Sequence, residues 1–255
     1  MNILIRGGGD IATGVALRLH RAGYRVFITE LPQPLAVRRA VSFSEAVYVR
    51  QWTVEDVTAR LADSITQALD FSSKGFIPVL VAPEIDTIAL PYSVLVDARL
   101  TKSPAHYSIS DQLLVIGLGP GFAAGMNCHA VVETNRGHTL GRVHWMGSAQ
   151  EDTAIPEGDP RRVLRAPTNG VTSAYVEIGH HVEEGQLFAT VSDAQVFSPI
   201  TGIVRGMIRP GIFIPKGLKI GDIDPRDDPR LCSLVSDKAL AVGGGVLEAI
   251  LHYRL

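Results

Sequence analysis

The first thirty residues place a glycine cluster between two apolar runs. Residues 3–5 form the first run, glycines occupy positions 7–9, and residues 25–29 form a second run that ends at Glu30. Between them, an apolar helical face is formed by Ile11, Val15, Leu17 and Leu19. This order predicts strand, glycine turn, helix, strand and terminal acid. The spacing Gly-x-Gly-x-x-Ala, which starts at Gly7, matches the dinucleotide-binding fingerprint.

Each position of this pattern has a physical role in binding a pyrophosphate. Gly7 permits a tight turn, Gly9 lets the backbone approach the ligand, and Ala12 lets the helix pack closely on the sheet. The helix N-terminus presents N–H groups, and an acid at the second strand end accepts from a ribose hydroxyl. The alternative is a turn with a purely structural role. It is favoured by Asp10, which places a negative charge beside the expected phosphate site, although Asp10 could simply cap the helix. The predicted ligand-binding residues are Gly7, Gly8, Gly9, Asp10, Ile11, Ala12 and Glu30.

Composition narrows the class of protein. The chain has 255 residues, 46% hydrophobic and 20% charged, which suits one large or two modest globular domains. A net charge of −2 gives no electrostatic reason to expect a nucleic-acid partner. The two cysteines indicate neither a disulfide framework nor a metal site. No signal or membrane-spanning segment is recognised, so we expect a cytoplasmic protein without a membrane partner.

Three further segments extend the α/β pattern. Residues 54–69 carry apolar side chains at a spacing of four and predict a helix. Residues 77–82 and 92–96 are apolar runs that predict buried parallel strands. The second run leads into Asp97 and Arg99, which we expect at the ligand-binding edge of the sheet. An internal ion pair between these two residues is an equal alternative.

A second glycine-rich turn follows a strand predicted over residues 113–116. Gly117, Gly119 and Gly121 lie in this turn, where glycines permit close backbone approach or a positive φ angle. The turn is therefore a second candidate for cradling an anion. A tight connection without a ligand is the alternative.

Residues 129–145 predict a β-hairpin with a polar turn. Asn135, Arg136 and His138 occupy that turn. An amide, a guanidinium and an imidazole together suit an anionic substrate, although Asn and Gly are also ordinary hairpin-turn residues. No pair of histidines has the spacing of a metal site, so we predict no metal.

The sequence changes character after a polar linker at residues 151–162. A pattern of proline, glycine and apolar residues at 166–191 is repeated thirty-two residues later. Two such halves predict a small pseudo-symmetric β-sandwich, and they resemble the biotinyl/lipoyl-type barrel-sandwich hybrid. Members of that class that carry a prosthetic group present a lysine between the halves. Residues 192–196 contain none, so covalent biotin or lipoate is not expected.

The predicted fold is therefore α/β, with a Rossmann-like, mostly parallel sheet and a smaller all-β barrel-sandwich hybrid domain near the C-terminus. Residues 1–160 form the nucleotide-binding domain, residues 161–225 the barrel-sandwich domain, and residues 226–255 a helical segment that packs back on the first domain. Three successive glycines at 243–245 lie in that helix. Since each costs about 1 kcal/mol relative to alanine, we expect close packing or ligand contact to require them.

Six stretches together resemble one protein family. They are RGGGDIATGVALRL at the start, FSEAVY at 43–48, VDARL at 96–100, and then IGLGPGFAAG, HAVVETNRGHTLGRV and SDKALAVGGGVLEAIL. The chain resembles the YqeB-type accessory proteins of selenium-dependent molybdenum hydroxylase systems over nearly its whole length. The resemblance implies a role in supplying or maturing the cofactor of such an enzyme, with the apo hydroxylase as partner. It assigns no catalytic residue.

Two hypotheses from different classes follow. The first is a maturation factor that binds a nucleotide, such as the dinucleotide form of molybdenum cofactor, with Asp97, Arg99 and Arg136 lining the pterin end. The second is an NAD(P)-dependent oxidoreductase in which the 135–138 turn transfers protons, although no dehydrogenase base is recognised. Cys128 is the candidate if an exposed thiol carries sulfur or selenium. Both hypotheses are compatible with a homo-oligomer, and the sequence does not decide whether the protein has catalytic turnover.

Overall fold

Two units make up the chain in the computed structural model, which describes residues 1–84, 89–103, 106–107, 109, 113–151 and 158–253. Unit 1 comprises Met1–Pro34, Ser42–Thr153 and Val235–Leu255. Unit 2 comprises Leu35–Val41 and Ala154–Leu234. Residues 152–157 of the predicted linker lie outside the described residues.

A nine-stranded sheet forms the centre of unit 1. The strands of the unit are β1 (Asn2–Arg6), β2 (Arg25–Glu30), β3 (Gln51–Val54), β4 (Val57–Ala62), β5 (Ile77–Val81), β6 (Val94–Asp97), β7 (Leu114–Leu118), β8 (Ala123–Ala124), β9 (Ala130–Val132), β10 (Val143–His144) and β11 (Gly147–Ser148). The sheet order is β10-β9-β7-β6-β1-β2-β5-β4-β3, in which the seven inner strands are parallel and the two edge strands antiparallel. Strands β8 and β11 form a separate ribbon. The strands predicted near residues 77–82, 92–96 and 113–116 and the 129–145 hairpin are confirmed.

Helices cover both faces of this sheet. They are α1 (Asp10–Arg21), α2 (Ala46–Val49), α3 (Ile65–Ser73) and α4 (Asp237–His252). On one face, Ala68 of α3 packs with Leu4, Phe27 and Leu95 in a buried core. On the other face, α1 and α4 pack against each other, and α4 approaches Val132 of β9. The sheet is thus buried between helical layers, as its apolar inner strands require.

The glycines of α4 permit this close helix packing. A Cβ on Gly243 would lie 2.8 Å from the carbonyl oxygen of Gly14 in α1, and a Cβ on Gly245 would overlap the carbonyl oxygen of Gly141. A Cβ on Gly244 would meet no atom within 4 Å. The expectation that close packing requires glycine is confirmed at two of the three positions.

The prediction of one helix over residues 54–69 is wrong. Strands β3 and β4 form a hairpin around Glu55, whose φ is 55°, and only residues from Ile65 onward are helical. In β4, Val57 and Ala59 are buried at a spacing of two. The spacing of four between Val57 and Leu61 is therefore compatible with both periods, and β-branched residues favour the strand.

Unit 2 consists of two four-stranded antiparallel sheets. Its strands are β12 (Val163–Arg165), β13 (Gly170–Ala174), β14 (His181–Val182), β15 (Leu187–Val191), β16 (Ala194–Phe197), β17 (Gly202–Met207), β18 (Phe213–Ile214) and β19 (Lys219–Asp224). The sheet orders are β12-β19-β17-β14 and β16-β15-β13-β18.

The sequence repeat of unit 2 is also a structural repeat. Strands β13, β14 and β15 correspond to β17, β18 and β19, and each half lends its short middle strand to the other, since β14 pairs with β17 and β18 with β13. The repeated apolar positions are fully buried at Val182 and Ile214, and again at Val191 and Ile223. The two halves therefore close one shared core, and neither half forms its sheet alone.

Candidate functional site

The sheet of unit 1 has a topological switch point between β1 and β6. The chain runs from β1 to β2 on one side, whereas β6, β7 and β9 extend the sheet on the other side. Ligands of open α/β sheets bind in the crevice outside the carboxyl ends of the strands at such a point. In this chain that crevice lies where β1 ends at Arg6 and β6 ends at Asp97, which are register partners.

The crevice brings together two groups of residues that the sequence separates by ninety positions. A Cβ on Gly7 would lie 3.5 Å from the carbonyl oxygen of Ala98 and 3.6 Å from Cγ of Arg99. The glycine turn and the Asp97–Arg99 segment thus form opposite walls of one site.

The three glycines of the first turn have three different environments. Gly7 has a φ of +96° and donates its N–H to the carbonyl oxygen of Thr29 at 2.8 Å. Gly8 lies against Ser44, whose N–H donates to the Gly8 carbonyl oxygen at 2.8 Å. Gly9 is the N-cap of α1, has a φ of −67°, and a Cβ there would meet no atom within 4 Å. Gly9 is therefore the glycine of this turn that borders open space.

The Glu30 carboxylate is hydrogen-bonded to the backbone of the glycine turn. Its Oε1 accepts from the N–H of Gly8 and its Oε2 from the N–H of Leu31, both at 2.7 Å. Burial raises the pKa of this carboxyl, although the two backbone hydrogen bonds act in the opposite direction. The residue predicted to accept from a ribose is thus bonded to the backbone of the turn itself.

Asp10 lies in the first turn of α1 and accepts a hydrogen bond from the backbone of that turn. Asp10 Oδ1 accepts from the N–H of Ile11 at 2.9 Å, and Ile11 and Ala12 are buried. Ala12 is only 1% exposed, as close packing of the helix on the sheet requires.

Asp97 is the centre of a buried hydrogen-bond network at the other wall. Its carboxylate is fully buried and accepts from Nε and Nη2 of Arg99 at 3.0 and 2.7 Å, and from the Tyr107 hydroxyl at 2.7 Å. The Tyr107 hydroxyl in turn accepts from Nη1 of Arg6 at 3.0 Å. Burial, reinforced by the charge of Asp97, raises the pKa of Tyr107 to about 12. The protonated Tyr107 hydroxyl therefore donates to Asp97 while it accepts from Arg6.

Sequence reasoning missed Arg6 and Tyr107. Arg6 has a detectable signal, because it is the charged residue that ends the apolar β1 run, where Asp97 ends the β6 run. Tyr107 follows Asp97 by ten residues, and no pattern in the sequence connects the two.

The second glycine turn is filled by protein atoms. A Cβ on Gly117 would overlap the ring of Phe122, and a Cβ on Gly121 would overlap the carbonyl oxygen of Thr101. Gly119 has a φ of +82° and lies against the side chain of Thr134. Packing accounts for all three glycines, so the structure provides no space for an anion beside Gly117 or Gly121.

The predicted hairpin turn is held by structural contacts. Arg136 forms a two-bond ion pair with Asp237 at 2.7 and 2.8 Å, and the Asn135 side-chain amide donates to the carbonyl oxygen of Glu151 at 3.0 Å. The backbone carbonyl oxygen of His138 accepts from Arg142 Nε at 3.4 Å. Strand β9, which leads into this turn, is three strands from β1, or about 14 Å. The turn shares the sheet edge with the crevice but lies to one side of it.

Glu133 explains how this turn is built, and sequence reasoning also missed it. Its buried carboxylate accepts from three backbone N–H groups, those of Thr134, Asn135 and Gln150, at 2.7 to 2.8 Å. A carboxylate with three such donors fixes the loop that follows it.

Cys128 is fully buried, and burial raises the pKa of its thiol to about 11. Transfer of sulfur or selenium requires an accessible thiolate. The geometry therefore does not support Cys128 as a carrier.

The described residues contain neither a candidate metal site nor a membrane-spanning helix. No group of three or more His, Cys, Asp or Glu side chains in that part of the chain is arranged to hold a metal ion. Among the same residues, no helix has the length and apolar character needed to cross a membrane.

The fold defines an α/β protein with a mostly parallel sheet, and its candidate site lies at the switch point of that sheet. Over 254 residues the chain is 46% identical to the uncharacterized protein YqeB of Escherichia coli (strain K12), an alignment that covers 98% of this chain and 47% of that protein. This similarity supports the YqeB-type resemblance of the sequence motifs. The chain spans about half the length of that relative.

Comparison with other models and structures adds little. No protein-family model matches the chain. An aspartoacylase family protein from Mesorhizobium loti aligns with 87% of this chain and 84% of its own at 12% identity and a TM-score of 0.28. A succinylglutamate desuccinylase from Silicibacter sp. TM1040 gives the same coverages, 14% identity and a TM-score of 0.26. Scores this low carry no argument about fold or function.

Proposed function

We propose that this protein is an accessory factor of a selenium-dependent molybdenum hydroxylase, which binds a dinucleotide-type ligand and assists cofactor maturation or delivery. In this proposal unit 1 is a Rossmann-like nucleotide-binding domain. Unit 2 is a barrel-sandwich hybrid that docks the apo hydroxylase. The ligand is the dinucleotide form of molybdenum cofactor or another nucleotide.

One observation carries the ligand part of the proposal, namely the crevice at the switch point. Gly9 borders open space at the N-terminus of α1, where backbone N–H groups favour phosphate oxygens. Arg99 lies beside the same turn with 41% of its side chain exposed. A pyrophosphate fits these residues because they combine backbone donors with a guanidinium. Gly9 and Arg99 would hold it, and the bound group would supply the cofactor chemistry.

The partner part of the proposal comes from the family resemblance. The motifs that resemble YqeB-type proteins lie mainly in unit 1 and include both walls of the crevice, RGGGDIATGVALRL and VDARL. The repeat of unit 2 supports the barrel-sandwich proposal, since two halves that exchange short strands are typical of a pseudo-symmetric module.

The oxidoreductase alternative has less support. Tyr107, the titratable hydroxyl nearest Asp97, has a raised pKa and stays protonated at neutral pH. Glu30, which would select NAD by its ribose, already accepts from two backbone N–H groups.

Calorimetric titration tests the proposal. The purified protein is titrated with molybdopterin cytosine dinucleotide, NAD and NADP, and Gly9→Glu is the blocking variant. Gly244→Glu is the matched control, because a Cβ on Gly244 also meets open space but lies in α4. We expect the pterin dinucleotide to bind to the parent and the control and not to Gly9→Glu. Preferential binding of NAD or NADP would favour the oxidoreductase alternative and call for a search for its substrate, and silence for all three ligands would refute a dinucleotide site.

A further inference from the structure

A short Asp-x-Arg ion pair recurs in this chain. Each copy has the same geometry, in which the arginine two residues after the aspartate donates its backbone N–H and its Nε to Oδ1 and its Nη2 to Oδ2. The copies are Asp97–Arg99, Asp159–Arg161, Asp224–Arg226 and Asp228–Arg230. We call this arrangement the Asp-x-Arg staple. It orients a guanidinium without help from the rest of the fold.

The staple at Asp97 differs from the others in its surroundings. The three copies in unit 2 have proline in the middle, and Asp159 and Asp228 precede short 3₁₀ turns. The Asp97 carboxylate is completely buried and that of Asp224 is 4% exposed, whereas those of Asp159 and Asp228 are 32% and 27% exposed. In unit 1 the staple also receives a second donor, the Tyr107 hydroxyl. The Asp97 staple is therefore held by burial of its carboxylate and by one hydrogen bond more than the three that every copy has.

We infer that Arg99 is the anchor for a phosphoryl group of the crevice ligand, and that Asp97 and Tyr107 are positioning residues that hold its guanidinium for that contact. The inference deepens the proposed function and rests on its ligand site. It does not rest on the identity of the ligand or on a molybdenum hydroxylase partner.

The geometry of the guanidinium supports this role. Nε and Nη2 of Arg99 donate to Asp97, whereas Nη1 donates to neither carboxylate oxygen. The side chain passes within 3.6 Å of the position of a Cβ on Gly7, and 41% of it is exposed. Asp97 raises the pKa of Arg99, so the guanidinium stays charged. An arginine that is already oriented loses little side-chain entropy when it binds phosphate, which increases affinity.

Besides Asp97, which is paired with Arg99, two nearby carboxylates oppose an anion, and their geometry limits the effect. The Glu30 carboxylate is turned onto the N–H of Gly8, and burial raises its pKa. Asp10 Oδ1 accepts from the N–H of Ile11. The contact with Arg99 therefore has to outweigh the carboxylates of Asp10, Glu30 and Asp97. We expect a single phosphoryl group to bind weakly when Arg99 is removed.

The test measures binding of inorganic pyrophosphate by calorimetry. We expect Arg99→Gln to weaken binding by about tenfold or more, as for loss of a charged hydrogen bond. Arg99→Lys should recover part of the loss, and binding should weaken as salt is added. Arg230→Gln is the matched control, because it breaks a staple with an 84% exposed arginine in unit 2. That variant should bind like the parent.

Asp97→Asn separates positioning from simple charge. Removal of a negative charge near an anion should tighten binding by Coulomb's law, whereas release of Arg99 should weaken it. We expect weaker binding, by about threefold to tenfold. Tyr107→Phe keeps the Asp97 charge and should weaken binding in the same direction by less. Thermal unfolding checks that each variant is folded, and Tyr107→Phe carries the test if Asp97→Asn is not.

The outcomes distinguish this inference from the proposed function. Failure of the parent to bind pyrophosphate, equal binding by Arg99→Gln, or tighter binding by folded Asp97→Asn would each overturn the anchor. Arg99-dependent binding of pyrophosphate together with no binding of the pterin dinucleotide would leave the anchor standing and remove the proposed cofactor.

Discussion

The two glycine-rich turns of unit 1 share a sequence signature and differ in what surrounds them. Each follows a parallel strand, and each was expected to cradle an anion. At the first turn a Cβ on Gly9 meets open space, whereas at the second a Cβ on Gly117 overlaps Phe122. The structure thus gives a packing reason for glycine at the second turn, whereas at Gly9 of the first turn it leaves open space.

The second turn still serves the crevice, though indirectly. The Phe122 ring that Gly117 admits stacks on Tyr107 at 6.5 Å between ring centroids, and Tyr107 donates to Asp97. The packing beneath the second turn thus supports the network that orients Arg99. A glycine-rich turn after a strand therefore indicates close approach of some group, and the structure must show which group it is.

The largest expected effect comes from filling the space at Gly117. Gly117→Ala places a methyl group inside the Phe122 ring, and we expect the free energy of unfolding to fall by about 3 kcal/mol through overpacking. Urea denaturation at constant m-value measures it. The double variant Gly117→Ala/Phe122→Ala should be less destabilised than the sum of the two single variants, since both act on one contact. Additive effects would show that the ring is not the cause.

A second contrast lies within three successive glycines of α4. Gly245→Ala places a methyl group against the carbonyl oxygen of Gly141 and should destabilise the protein by about 2 kcal/mol. Gly244→Ala is the matched control, since its methyl group enters open space, and it should stabilise by about 0.8 kcal/mol through helix propensity. Thermal unfolding of the two variants gives the comparison. Equal effects would contradict close packing between α4 and its neighbours.

These glycines show how far the sequence can predict this molecule. Strand β1, helix α1, strand β2 and the C-terminal helix arise from local sequence patterns, and those patterns predicted them. The reason for each glycine is a long-range contact, such as Gly245 with Gly141, and one sequence does not contain that information. The same holds for the candidate site, where Asp97 and Arg99 were predicted at the sheet edge and Tyr107 was not.

The mistaken helix at residues 54–69 has a local cause. Val57 and Leu61 are four residues apart, which satisfies a period of two as well as 3.6. The turn at Glu55 has a positive φ without glycine, so the usual sequence signal of a hairpin is missing.

The ionisation of Glu30 should make the free energy of unfolding depend on pH, with an effect smaller than those of the glycine substitutions. Because burial raises its pKa in the folded state, the folded protein holds this proton more tightly than the unfolded chain. The stabilisation is complete below the unfolded pKa and is lost as pH rises through the folded pKa. We expect the stability of the parent relative to Glu30→Gln to decrease from pH 4.5 to pH 7 by less than about 1 kcal/mol. Denaturation at several pH values tests the sign, and an increase would contradict it.

Among these variants, Gly9→Ala should have the smallest effect on the free energy of unfolding and the largest effect on pyrophosphate binding. Its φ of −67° suits any residue, so Gly9→Ala should change the free energy of unfolding by roughly 0.5 kcal/mol or less, as for an N-cap. The methyl group would occupy the space in which a pyrophosphate approaches the backbone, so pyrophosphate affinity should fall. Gly117→Ala would destabilise the protein without testing the ligand site, whereas Gly9→Ala tests that site with little change in stability. Full affinity in Gly9→Ala would show that the open space at the first turn is not the phosphate site.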